Sequence, residues 1–554
     1  MSQMFSTFRP IVPGLITLGL MASSAFAQGP PPPPAPPAGG PIPALQVPLG
    51  NQITAAKTQL GKALFWDEQL SSTRMTACAT CHIPSAGGTD PRSATSQTIH
   101  PGFDGVFGTN DDVVGSLGQI LSQTDGTYTE STDFGLDVQV TPRKTPTMIN
   151  AAYAPSLFWD GRATSQFVDP VTGSVVLLFN AALESQVAGP PLSETEMGHL
   201  GRDWNDVAAR VAASMPLALA SNLDPALGAF VAGQTYPQLF QVAFGTPAVT
   251  PSRIAMAIAT YERTLIADQT PLDAGPGALT PQEAAGRQIF NTKGRCNICH
   301  NGPFLTDFAF KNTGVTPIFQ DLGQGDISSI PAQNGRFKTP DLRNIELRAP
   351  YFHDGSAKTL EEVVDFYDRG GDFHQNQAAA IIPLGLTAQE KNQLVAFLRR
   401  PLTDPRVENE TGPFTRPTLF SETNLMPTPY GFGTAAPSGI VPTAVALEPQ
   451  LVGNPSMTVA IKGAAPFGQG LLVVDVAQGF STLLGADVLI GITPAMSLLN
   501  AGPMQGTGPG GGYNSLSLAV PGDANLIGLP IFMQWFVQQP GTMSATSGLE
   551  MVLF

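Results

Sequence analysis

The chain has 554 residues, 43 acidic against 28 basic side chains for a net charge of −15, and four cysteines. That length is too great for one core, so two or three domains are expected. The acidic balance argues against nucleic acid as a partner and fits either a basic partner, such as a small cationic redox protein, or plain solubility.

Met1 to Ala27 reads as an export signal, with Arg9 as its positive end, Ile11 to Ala22 as its apolar run and Ala25-Phe26-Ala27 as a small-x-small cleavage site. The mature chain then starts at Gln28 and is expected to be periplasmic or secreted. No later apolar run reaches the roughly 18 residues of a membrane span, so none is expected. Residues 28–48, with five consecutive prolines from Pro30 to Pro34, read as a polyproline-like linker.

The motif Cys78-Ala79-Thr80-Cys81-His82 returns as Cys296-Asn297-Ile298-Cys299-His300, and the two copies use every cysteine in the chain. C-x-x-C-H is the attachment pattern of c-type haem, in which both thiols bond the porphyrin and the histidine becomes an axial iron ligand. A zinc ribbon needs its two pairs close together, and 214 residues separate Cys81 from Cys296. The expected cofactors are therefore two covalently bound haem c groups, with no cysteine left for a disulfide.

The surroundings of the motifs repeat. Gly61-Lys62-Ala63-Leu64-Phe65 before the first is echoed by Gly286-Arg287-Gln288-Ile289-Phe290 before the second. Beyond them, Lys144-Thr145-Pro146, Asn150 and Asp160-Gly161 match Lys338-Thr339-Pro340, Asn344 and Asp354-Gly355 at a constant offset of 194, with Trp159 answered by His353. Helix starts are marked by capping boxes at Thr280 with Glu283, Thr359 with Glu362 and Thr387 with Glu390, and Ser252 to Leu265 reads as a helix joining the halves. Leu360, Val363, Val364 and Tyr367 fall on one helical face. After Pro405 the period changes to two, in Ser456 to Ile461, Gly470 to Ala477 and Asn514 to Val520. This last part has no cysteine or histidine and no arginine after Arg416, so a structural or docking role is expected of it. The reading is a mainly α protein with two tandem cytochrome c-like haem domains, residues 49–250 and 251–405, followed by an all-β, sandwich-like domain, residues 406–554.

Residues 48–405 resemble the bacterial di-haem cytochrome c peroxidases and their relative MauG, the oxidase that matures the quinone cofactor of methylamine dehydrogenase. The resemblance rests on Leu60 to Phe65, both haem motifs, Arg143-Lys144-Thr145-Pro146-Thr147, Phe158-Trp159-Asp160-Gly161-Arg162-Ala163, Glu196-Met197-Gly198, Leu342-Arg343-Asn344, Ala349 to Gly355 and Phe366 to Gly371. It implies a peroxidatic N-terminal haem and an electron-transferring C-terminal haem, with His82 and His300 as proximal ligands. Trp159 matches the tryptophan between the haems, and Glu196 the distal glutamate that moves a proton between the peroxide oxygens. Read without the family, Glu196 is an acidic residue at a helix start and Trp159 is core packing.

Three departures stand out. Peroxidases of the family give the second haem a methionine as sixth ligand, but no methionine lies between His300 and Met426; the matching position is Tyr367, as in MauG, with His374 as the competing ligand. His100, 18 residues after His82, matches the family's gating histidine imperfectly, and ligand and exposed loop residue both stay open. The family's interdomain calcium would use carbonyls matching Arg348 and Pro350 and an asparagine replaced here by Lys144, so calcium is expected to be weak or absent. The leading reading is a peroxidase that reduces hydrogen peroxide to water with electrons from a small cytochrome c or cupredoxin; homodimer formation stays open. Its rivals are a MauG-like oxidase of a protein or organic substrate and a non-enzymatic electron carrier.

Overall fold

The computed structural model describes residues 40–554, so the export signal and most of the Pro-rich linker lie outside the described residues. Five helices frame the haem motifs: Ala55–Trp66, Pro251–Glu262, Pro281–Asn291, Leu360–Arg369 and Ala388–Leu398. Each begins on a threonine, Thr54, Thr250, Thr280, Thr359 or Thr387, whose hydroxyl accepts the N–H of the third residue onward. At the last three a glutamate reaches back to the cap, as the capping boxes require. Caps of this kind each contribute about 1 kcal/mol and fix where the helix starts.

The helices pair in the same way twice. Ala55–Trp66 packs along Pro251–Glu262, and Pro281–Asn291 along Ala388–Leu398. A glycine sits at each crossing: a Cβ on Gly61 would lie 1.9 Å from the Ala257 carbonyl oxygen, and one on Gly286 1.9 Å from that of Gln393. Only the missing side chain lets the backbones approach so closely. Each pair builds its own core, the first around Leu64, Phe65, Ile258 and Tyr261, the second around Phe290, Leu394 and Phe397.

The segments behind the motifs repeat in backbone as well as in sequence. Asn150 and Asn344 take left-handed φ of 60° and 61°, Phe158 and Phe352 of 63° and 69°, and Gly161 and Gly355 of 79° and 68°. The left-handed region is uncommon for asparagine and costly for phenylalanine, so two matched pairs at one offset are a duplication signal independent of side-chain identity. The two copies also clasp each other: Lys144 N–H donates to the His353 carbonyl at 2.8 Å, and Lys338 N–H to the Trp159 carbonyl at 2.7 Å.

Residues 428–552 form β-sheets. One sheet orders its strands Ser497–Pro503, Gln469–Asp475, Pro530–Gln539, Gly548–Val552 and Thr428–Tyr430, with Thr542–Ala545 also paired to Pro530–Gln539; another orders Gly512–Leu518, Met457–Ala464 and Thr443–Ala446. Val459, Ile461, Leu472, Trp535, Val537 and Met551, drawn from both sheets, share one core. The strand Met457–Ala464 departs from the alternation expected of it, because Met457 to Ile461 are all buried. Its second face is covered by residues 120–136 of the haem-bearing part, with Ala460 packing on Ile120, Tyr128 and Leu136. The expectation of a mainly α chain is too strong: among the described residues 28% are helical, single-turn helices included, and 19% strand, and loops and short turns carry much of residues 67–250.

Candidate functional site

Each Cys-x-x-Cys-His motif opens onto a cavity. The first, about 600 Å³, is lined by Cys78, Cys81 and His82 and by Glu196, Arg162 and Trp159. The second, about 240 Å³, is lined by Cys296, Cys299 and His300 and by Tyr367, His353 and, again, Trp159. Trp159 thus stands in the wall that both cavities share, its indole N–H donating to the Lys144 carbonyl at 2.7 Å and its ring 6.4 Å from that of His353.

The donor sets fit haem c. His82 Nδ1–H donates to the Gly88 carbonyl at 3.0 Å and His300 Nδ1–H to that of Leu305 at 2.9 Å. A carbonyl can only accept, so both neutral rings keep a lone pair on Nε2, the atom left to bind a metal. The four thiols are unbridged and line the cavities; burial raises them all, Cys78 and Cys296 to about 12.

Glu196 lies in a tight turn instead of a helix start. The amides of Glu196, Met197 and Gly198 all donate to the Ser193 carbonyl at 3.1, 2.9 and 2.7 Å. Burial raises its carboxyl above the ordinary range, and the Arg162 guanidinium pulls it the other way. A carboxyl in such a balance can both hold and release a proton. Arg162 is itself tied to Asp160 at 2.7 Å and lies over the Phe158 ring at 3.5 Å.

Tyr367 lies in the second cavity, where burial pushes its phenol up. His374 is exposed, shares a hydrogen bond with Gln377 at 2.9 Å and is not among the lining residues. His100 lines the first cavity from the hairpin Ile99–His100 and Val113–Val114. Its Nδ1 accepts the Gly102 N–H at 3.1 Å, which puts the proton of the neutral ring on Nε2. The segment from Asp104 to Val114 forms the turn of that hairpin and its second strand, with Asp111 accepting the amides of Phe103 and Asp104.

Between the cavities lies Lys144, buried and lowered to about 7 by burial and then by the Arg348 guanidinium. Lys338, its counterpart, is lowered to about 8 by burial. Arg348 and Pro350 line the second cavity; the Arg348 guanidinium donates to the Asp341 carbonyl at 2.6 Å and to the Arg343 carbonyl.

Three lining residues of the first cavity escape sequence reasoning: Gln186, Arg162 and Glu262. Glu262 ends the Pro251–Glu262 helix; burial raises its carboxyl to about 8, and its Oε2 has no hydrogen-bond partner among the described residues. Arg162 sits inside a motif already singled out, so its neighbours carried a signal. Gln186 and Glu262 carried none, since each is an ordinary polar residue of a helix.

Two cysteine-anchored cavities that share an aromatic wall, the first also lined by buried carboxyls, fit a covalently haem-binding oxidoreductase with two redox centres. Residues 55–275 match the family model for di-haem cytochrome c peroxidase. Cytochrome-c peroxidase IdrP1 of Denitromonas iodatirespirans is 29% identical over 409 residues, 67% of this chain and 88% of the relative. Methylamine utilization protein MauG of Methylorubrum extorquens is 28% identical over 365 residues, 65% of this chain and 81% of the relative. Among solved structures, a MauG-like protein associated with microbial copper homeostasis is 26% identical and covers 68% of this chain and 96% of its own, with a TM-score of 0.49. Residues 55–275 are thus similar to the di-haem cytochrome c peroxidases, and about two thirds of the chain is similar to relatives named cytochrome-c peroxidase and MauG.

Proposed function

We propose that the protein is a periplasmic or secreted di-haem peroxidase, built from two tandem cytochrome c-like haem domains and a C-terminal β-sandwich, that reduces hydrogen peroxide to water. One observation carries this reading: the first cavity sets a carboxyl of raised pKa, Glu196, in the same chamber as Cys78, Cys81 and His82. Haem bound there by the two thiols and by His82 Nε2 supplies the iron at which the O–O bond is cleaved. Glu196 takes the proton of one peroxide oxygen and returns it to the departing one. Two electrons and two further protons complete the conversion of one peroxide to two waters. Trp159, in the common wall, conducts the electrons arriving from the second site, which a small cytochrome c or cupredoxin supplies. His300 and Tyr367 are the residues that would hold the iron of that site, a choice supported by the exposure of His374. His100 would not be among the residues that hold the first iron, its ring being engaged by the Gly102 N–H in its own hairpin. Calcium is weak or absent, since Lys144 offers no oxygen where an asparagine would ligate and the Arg348 guanidinium already occupies the Asp341 and Arg343 carbonyls.

Peroxide turnover with a reduced cytochrome tests the reading. Glu196→Gln should lower kcat by about 10²- to 10⁴-fold, with haem content unchanged. Unchanged turnover in that variant would overturn the role given to Glu196. Tyr367 also favours a second reading, a MauG-like oxidation of a protein or organic substrate, because an oxygen ligand stabilises oxidised iron. Failure of every small redox protein as donor, with peroxide still consumed, would select it.

A further inference from the structure

We propose that the C-terminal β-sheets are a positioning device for Glu196, acting through the 115–141 segment; the proposal rests on the reading of Glu196 as proton carrier. This segment has almost no regular structure, with isolated bridges at Leu117–Val140, Ser122–Tyr128 and Ser131–Gly135. A long loop inside a compact structure holds its shape only through what packs on either side of it.

On one side it grips the turn that carries Glu196. Gln119 N–H donates to the Thr195 carbonyl at 3.0 Å, the Gln139 side-chain amide to the Glu194 carbonyl at 2.9 Å, and Leu200 N–H to the Ser122 carbonyl at 2.9 Å. The Gln119 side-chain amide adds a bond to the Gly198 carbonyl. At Gly118 the approach is so close that a Cβ would lie 1.8 Å from the Thr195 oxygen. Residues on both sides of Glu196 are thereby fixed by one loop.

On the other side the β-sheets grip the loop. Thr458 Oγ1–H donates to the Gly126 carbonyl at 2.7 Å, and Tyr128 N–H to Ser515 Oγ at 2.8 Å. The Tyr128 hydroxyl donates to Glu448 Oε1 at 2.9 Å, wholly within the interior. Ile120, Tyr128 and Leu136 bury their apolar surface against Ala460. This contact is why the strand Met457–Ala464 is buried on both faces. Among the described residues the β-sheets line neither cavity; they supply the second wall that a loop held by only isolated bridges needs. A carboxyl must be held to within a fraction of an ångström to serve in proton transfer, and displacement by about 1 Å costs on the order of 10²-fold in rate.

The test is a double-mutant cycle on the haem-loaded, full-length protein. The pair Thr458→Val and Ser515→Ala removes three bonds to the loop from within the sheets, the third from Ser515 Oγ–H to the Tyr128 carbonyl, and touches no cavity residue. It should lower kcat for peroxide on the order of tenfold, leave KM for the reduced cytochrome unchanged, and leave the visible haem bands of both sites unchanged. In a Glu196→Gln background the same pair should cause no further loss, since both act through one carboxyl. Amide hydrogen exchange should speed up at residues 116–123 and stay unchanged in the Pro251–Glu262 helix. A full additive loss in the Glu196→Gln background, or no loss in the wild type, overturns the proposal. If Glu196→Gln slows turnover but the sheet variants do not, this proposal alone falls; if Glu196→Gln has no effect, the proton-carrier reading falls and takes it along. Should the pair fail to fold, Tyr128→Phe, which removes one buried O–H, serves with the same readouts.

Discussion

Two histidines, His82 and His300, each hand their Nδ1 proton to a backbone carbonyl five or six residues on and keep Nε2 free. The sequence motif names these residues, but the tautomer depends on a loop carbonyl that no motif specifies. The same division holds for Tyr367: helical spacing placed it on the inward face, while the exposure of His374 became visible only with the turn at Gly370 and Gly371 that leads it to the surface. Tyr367→Met should therefore raise the reduction potential of the second site, read by potentiometric titration, because a thioether favours the ferrous form and an oxygen ligand the ferric. His374→Ala should leave that potential where it is. A shift with His374→Ala and none with Tyr367→Met would reverse the assignment.

At the scale of elements, the helix starts were legible because threonine, proline and glutamate act locally and need no tertiary partner. The echo of Gly61 in Gly286 was legible as a repeat, but its cause, two helix pairs crossing at contact distance, was not. Gly61→Ala and Gly286→Ala each force a Cβ against a backbone oxygen, so each should destabilise by about 1–3 kcal/mol in denaturant unfolding. Gly61→Ala should broaden the signal of the first haem alone and Gly286→Ala that of the second alone. The joint to the β-sheets was the least legible element, since residues 115–141 show no period and Glu448 lies far from Tyr128 in sequence. Burial raises the Glu448 carboxyl from its ordinary 4.5 to about 8. The folded state therefore holds a proton that the unfolded chain releases, and stability falls as pH rises between those values. Glu448→Gln should flatten that fall, measured by unfolding at about pH 5 and about pH 9. An unchanged slope would place the titration elsewhere.

For the whole molecule, the acidic composition named a class of partner without locating a surface. The duplication was readable because both copies keep the same turns, whereas the place where they meet was not. There the copies exchange backbone bonds between Lys144 and His353 and between Lys338 and Trp159, and a position where they differ, Trp159 against His353, lies at that seam. Among the described residues no helix is long and apolar enough to cross a membrane. The central claim is that two unlike iron sites share one aromatic wall, the first open and the second closed by Tyr367. Low-temperature electron paramagnetic resonance of the fully oxidised protein reads both sites together. The account predicts a high-spin signal beside a low-spin one without methionine character, the high-spin signal unchanged in His100→Ala. Two low-spin signals, one turning high-spin on addition of a single electron, would contradict it and make His100 the gate.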